Sequence, residues 1–144
     1  MLIYKNETPS LESIRDFFYL TDNEFDLPLS QKVNIEEYTL KLYTYADFFV
    51  CYDDDRIVGM ICCYMNRPPE AYISHVCVSS EYQGKGIFKT LFNYVVDQSL
   101  EKQFTKILLE VSKLNKKAQT IYCGLDFVVM QQKDNSYIMK KTLV

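Results

Sequence analysis

Apolar positions along this chain fall into short β-type runs separated by a few helical stripes. Residues 2–6, LIYKN, predict a short first strand. Thr8 before Pro9 predicts an N-cap followed by proline at the first helical position. Ile14, Phe17, Phe18 and Leu20 then supply that helix's apolar face. TDNEFDLPLS breaks the period and forms an acidic loop with Asp22, Glu24 and Asp26. Asn34, with Glu37 three residues on, resembles a capping box and starts a second helix running to about Tyr45. DFFVCY and RIVGMICCYM are rich in β-formers and are joined by DDD, the pattern of a hairpin. NRPPE turns the chain again into a third strand, AYISHVCVS. Ile87, Leu91, Val95 and Leu100, with Phe88 and Phe92, mark an amphipathic helix. KILLEV predicts a buried strand, residues 116–123 a short helix ended by Gly124, and FVVMQQ with SYIMKKTL a closing hairpin around KDN. The order is β-α-α-β-β-β-α-β-α-β-β, a mixed α/β layer without an internal repeat.

Composition narrows the picture. With 144 residues and 48% hydrophobic content, the chain suits one domain over 1–144 with a proper core. A net charge of -3 argues against a nucleic-acid surface, which needs clustered base. No apolar run reaches membrane-spanning length, and MLIYKNETPSLES lacks the build of a signal peptide. A cytoplasmic location is the expectation. Cys51, Cys62, Cys63, Cys77 and Cys123 form no CxxC, and His75 is the single histidine. They are expected to be reduced, mostly core-filling thiols, with no metal site.

Two of the chain's 4 glycines stand in EYQGKGIF, between a predicted strand and a predicted helix. A helix beginning near Gly86 presents unpaired N–H groups and the positive end of its dipole. Gly84 and Gly86 remove side chains that would block an anion, and Lys85 and Lys89 add positive charge. Taken alone this is also the composition of an ordinary turn. Neither a Walker A loop nor a Rossmann fingerprint is present.

VCVSSEYQGKGIFKTLF resembles the Q/R-x-x-G-x-G/A signature of the GNAT superfamily of N-acetyltransferases, with Gln83 and Gly86 on its fixed positions. NKKAQTIYCGLDF resembles the same family's N-x-x-A-x-x-x-Y segment through Asn115, Ala118 and Tyr122. The resemblance implies the acyl-CoA N-acyltransferase fold, acetyl-CoA as cosubstrate, and a strand that splays from its neighbour to admit it. Backbone groups of Val76, Cys77 and Val78 would pair with the pantetheine. The loop Gln83, Gly84, Lys85, Gly86, Ile87, Phe88 and Lys89 would hold the pyrophosphate. Asn115 would help position the cofactor, and Lys117, with Lys116 as a rival, would reach its adenosine-side phosphate. Phe88 departs from the family's Gly or Ala and is expected to turn inward. Asp126 departs from its usual glycine, a change that a left-handed turn tolerates in Asp.

The chemistry asks for a neutral amine, a polarised thioester carbonyl and a proton for the departing thiolate. Tyr122, protonated at neutral pH, suits the third task. Its competing role is plain core packing. For the base, the family's usual strand glutamate is replaced by Tyr72 and Ser74, either able to position a water. His75, on the opposite face from Ser74 by strand alternation, is the one group there with a near-neutral ordinary pKa. Glu110 in LLEVS is another possibility. Neutralising a lysine-like amine at neutral pH costs roughly 4 kcal/mol, and an α-amine about 1 kcal/mol. A site without an obvious strand carboxylate therefore leans toward an amino acid, peptide N-terminus or amino sugar. The acidic stretch pulls the other way, toward a cationic acceptor. Cys77 lacks a neighbouring carboxylate and is no covalent nucleophile, so direct attack in a ternary complex is expected. The rival reading is a non-catalytic acyl-CoA-binding module. The closing hairpin's edge leaves a homodimer possible.

Overall fold

The computed structural model describes residues 1–25 and 27–144. Its strands are β1 (Leu2–Lys5), β2 (Asp47–Asp53), β3 (Arg56–Tyr64), β4 (Glu70–Val78), β5 (Lys106–Ser112), β6 (Val128–Gln132) and β7 (Ser136–Thr142). Its helices are α1 (Leu11–Leu20), α2 (Leu29–Lys32), α3 (Ile35–Tyr45), α4 (Ile87–Glu101) and α5 (Lys116–Gly124). The strands form one sheet in the order β1-β2-β3-β4-β5-β7-β6. Every neighbouring pair is antiparallel except β4 with β5. The helix α4 is the crossover that this parallel pair requires.

Local chemistry departs from expectation at several ends. Ser10, not Thr8, caps α1, its Oγ accepting from Ser13 N at 3.1 Å. Pro9 is buried ahead of it rather than opening the helix. Asn34 caps α3 as expected, its Oδ1 accepting from Glu37 N at 3.0 Å. The short α2 falls inside the stretch read as loop. α5 runs through Gly124, and the chain reverses instead at Asp126, whose φ is 70°.

The sheet separates two apolar cores. On one side α4 seats Ile87, Leu91, Phe92 and Val95 against Phe49, Ile61, Ile107 and Leu109. Leu100, expected on that apolar face, is exposed, and Ser99 is buried instead, its hydroxyl donating to Val95 O at 2.7 Å. On the other side α1 and α3 place Ile14, Phe18, Ile35 and Leu42 over Phe48, Val50 and Met60. Leu20 lies outside this core and is exposed. Cys51, Cys62, Cys63 and Cys77 are buried free thiols, and Cys123 is exposed. No helix among the described residues is long and apolar enough to cross a membrane.

A bulge in β4 joins fold to site. Cys62 pairs with His75 and Cys63 with Ile73, so Ser74 is an extra residue on β4. The bulge reverses the alternation. Ala71 and Ile73 enter the α4-side core, whereas Cys77 enters the core beneath α1 and α3. Val76 and Val78 then take the α4 side.

Candidate active site

Beyond the bulge, β4 parts from β5. The parallel ladder runs from Glu70–Lys106 to Ile73–Leu109 and stops there, although β4 continues to Val78 and β5 to Ser112. On its other edge β4 stays paired to β3 through Val78–Gly59. The backbone of Val76, Cys77 and Val78 therefore presents an edge toward an opening between the two strands. The Cys77 side chain points into the core, and burial pushes its thiol up to about 11.

The glycine loop stands at the end of that edge. Gly84 and Gly86 have φ of +79° and +80°, a region that L side chains enter only with strain. No described atom lies within 4 Å of a Cβ built at either, so the loop is open where an anion would approach. Gly86 is the N-cap of α4 and no described side chain caps that helix start. Its first N–H groups are left for an anion. Gln83 braces the loop, its Nε2 donating to Val78 O at 3.1 Å. Lys85 sits over the Tyr82 ring at 6.0 Å, and Lys89 is exposed. The Ile87 side chain is buried in the core, so only its backbone faces the loop. These features fit a pyrophosphate.

Phe88 turns inward. Its ring lies 5.9 Å from Phe92 and 6.2 Å, edge-on, from Tyr122. The glycine loop and the phenol, 36 residues apart, are thus neighbours through Phe88. Tyr122 also meets Phe127 edge-on at 5.5 Å. Burial pushes its pKa up to about 12. No described side chain takes its hydroxyl as a hydrogen-bond partner. Asn115 caps α5, its Oδ1 accepting from Ala118 N at 3.1 Å. This fixes the helix that carries Tyr122. Lys116 and Lys117 are exposed on its first turn.

His75 is corrected from candidate base to core residue. Its ring is 5% exposed and lies 4.5 Å from Phe18 and 5.7 Å from Phe25. Burial, with Lys32 nearby, lowers its pKa to about 3. The imidazole is therefore neutral at working pH but walled off from the opening. Glu110 lies on the opposite side of the sheet from Leu109 and Val111, which enter the α4-side core. Its Oε2 accepts from Ser136 Oγ at 2.5 Å and has Lys133 Nζ at 3.6 Å. Burial first, then the Glu110 charge, raises the Tyr72 hydroxyl's pKa. Tyr64, Tyr72 and Leu108 also line a cavity of about 180 Å³ on that face, rimmed by Asn66, Arg67 and Glu70.

The acidic loop has structural partners that sequence did not reveal. Asp22 receives Ser30 N at 2.9 Å and Ser30 Oγ at 2.6 Å, closing the start of α2. Glu24 Oε1 accepts from Ser80 N at 2.6 Å, tying the α1–α2 connection to the turn before the glycine loop. Asp26 lies outside the described residues.

A family model described as the acetyltransferase (GNAT) family matches residues 11–126, and the chain belongs to that family. Rat N-acetyltransferase 8F1 is 28% identical over 91 residues, which are 60% of this chain and 41% of that protein. The chain thus spans less than half the length of the curated relatives it first matches. N-alpha-acetyltransferase 30 of Schizosaccharomyces pombe is 26% identical over 123 residues, covering 82% of this chain and 79% of its own. The PaiA N-acetyltransferase of Thermoplasma acidophilum, solved in complex with coenzyme A, superimposes with a TM-score of 0.80 at 18% identity, over 99% of each chain. At that identity the likeness shows the fold alone.

Proposed function

We propose that this chain is an acetyl-CoA-dependent N-acetyltransferase that acylates a primary amine by direct attack in a ternary complex. The observation that carries the reading is the parting of β4 from β5 after Ile73–Leu109, between the open glycine loop and the α5 helix that bears Tyr122. Acetyl-CoA supplies the activated acyl group as a thioester. The free edge at Val76–Val78 orients the pantetheine and helps polarise the thioester carbonyl. The loop from Gln83 to Lys89 holds the pyrophosphate through backbone N–H groups at the start of α4. Asn115 positions the cofactor by fixing α5, and Lys117 or Lys116 reaches its outer phosphate.

Tyr122 keeps its proton until the thiolate departs. Its raised pKa keeps the hydroxyl a donor across the physiological range. Glu110, whose charge reaches the Tyr72 hydroxyl, is our candidate to receive the amine's proton, directly or through water. With His75 sealed in the core, no imidazole competes for that role.

The acceptor is a low-pKa amine, with a peptide or protein N-terminus favoured over a lysine side chain. Family relatives named as N-alpha-acetyltransferases support this choice. Asp22 and Glu24, occupied by Ser30 and Ser80, give little pull on a polyamine. A peptide carrying both a free N-terminus and an internal lysine tests this by mass spectrometry of the acetylated product. Acetyl on the α-amine is expected. Acetyl mainly on the lysine would overturn the acceptor class while leaving the transferase reading intact.

A further inference from the structure

Tyr38 reaches from α3 to the point where β4 bulges. Its hydroxyl donates to Ser74 O at 3.1 Å, lies 3.2 Å from Ser74 Oγ and 3.4 Å from His75 Nδ1. A phenol has one proton and its oxygen accepts the rest. The carbonyl can only accept, so the proton goes to Ser74 O. Ser74 Oγ–H and His75 Nδ1–H must then donate to the phenol oxygen. This single assignment uses all three contacts. It leaves His75 Nε2, which has no partner among the described residues, as the bare nitrogen.

The position of these contacts matters more than their number. Ser74 is the extra residue of the bulge, and the next residues leave β5 to form the free edge. From His75 to Val78 that edge is otherwise held by its ladder to β3. α3 itself is fixed by Ile35, Thr39 and Leu42, all buried. Tyr38 is therefore a strut between a rigid helix and the one irregular residue at the mouth of the opening.

We propose that Tyr38 is a positioning residue for acetyl-CoA, its hydroxyl clamping the Ser74 bulge so that the Val76–Val78 edge stays open and correctly aimed. The proposal rests on the acetyltransferase reading above, since it assigns that edge to the cosubstrate. A preorganised edge binds more tightly because less order is lost on binding.

The test is Tyr38→Phe, which removes one oxygen and keeps the ring. Amide hydrogen exchange of residues 75–78 in the free protein should quicken by about two- to tenfold, the factor one ordinary hydrogen bond is worth. The Kd for CoA by calorimetry, and the KM for acetyl-CoA, should rise by about the same factor, with kcat altered by less than about twofold. Ser74→Ala keeps that carbonyl and removes only the Oγ contact at 3.2 Å, so it should raise the CoA Kd by a smaller factor. In the double variant the two effects should fall short of additive. Unchanged exchange and unchanged CoA affinity in folded Tyr38→Phe would overturn the clamp. A wild type that binds no CoA overturns both the clamp and the acetyltransferase reading. A wild type that binds CoA no better than Tyr38→Phe overturns the clamp alone.

Discussion

Gly59 on β3 lies directly under Ile87, the first residue of α4. A Cβ at Gly59 would come within 2.8 Å of Ile87 Cγ2. The start of α4 is thus seated on bare backbone, the close approach for which a glycine inside a strand is a signal. Gly59→Ala should push that helix end away from the sheet. Overpacking of this kind costs about 1–3 kcal/mol. The variant should lose stability by that amount in denaturant melts, and its CoA affinity should fall as well. A stable variant with normal CoA binding would show that the helix start tolerates displacement.

Gly86 poses the opposite case. Space around its absent Cβ is open, but its φ of +80° is left-handed. Gly86→Ala should cost about 1 kcal/mol of stability from backbone strain alone. On the proposed reading CoA binding should weaken by more than that, because the new methyl would stand where the pyrophosphate is assigned. Equal losses in stability and binding would assign Gly86 to the turn and not to the cradle.

His75 makes a pH-dependent contribution with a defined sign. Its folded pKa of about 3 lies below the ordinary 6.5, so between these values the unfolded chain binds the extra proton. Stability from this residue is whole above about pH 6.5 and is lost as pH falls toward 3, by up to ~1.4 kcal/mol per pH unit. His75→Leu should flatten the stability profile in that window, as read by the slope of denaturant midpoints. The pH dependence of kcat/KM should keep its shape. An acidic limb that disappears with His75 would restore it as the base.

Thiol chemistry reads the burial pattern independently. Burial drives Cys63 up to about 12 and Cys77 to about 11, and raises Cys51 and Cys62. In the native protein only Cys123 should react with an aromatic disulfide at neutral pH. All five cysteines should react after denaturation. Rapid native labelling of Cys77 would reopen a covalent route.

The segment from Ile73 to Phe92 was legible because its apolar period changes from two to that of a helix across the glycines. Asn115, Ala118 and Tyr122 were legible because a cap and a helix face have fixed spacing. The Ser74 bulge was not, since it arises from the pairing of β4 with β3 and leaves the alternation of buried and less buried residues along β4 unbroken. That is why His75 was expected at the site: its chemistry was visible, but the side chains of α1 and α3 that enclose it come from distant sequence. Thr8 was expected as the cap because Pro9 follows it, but Pro9 is buried and Ser10 caps the helix. The four residues of α2 are too few to show a period. The partner of Glu24, a backbone amide 56 residues on, left no local mark.

The most direct measurement is release of free CoA thiol from acetyl-CoA, with and without a peptide bearing a free N-terminus, in wild type and Tyr122→Phe. Wild type should release thiol only when the acceptor is present. Tyr122→Phe, which loses no hydrogen bond to a described residue and keeps its ring against Phe88 and Phe127, should melt near wild type and bind CoA equally. Its kcat should fall about 10²-fold, the scale of a lost general acid. Tight CoA binding without acceptor-dependent release in wild type would contradict catalysis and identify a CoA-binding module; undiminished release in Tyr122→Phe would remove the phenol from the mechanism.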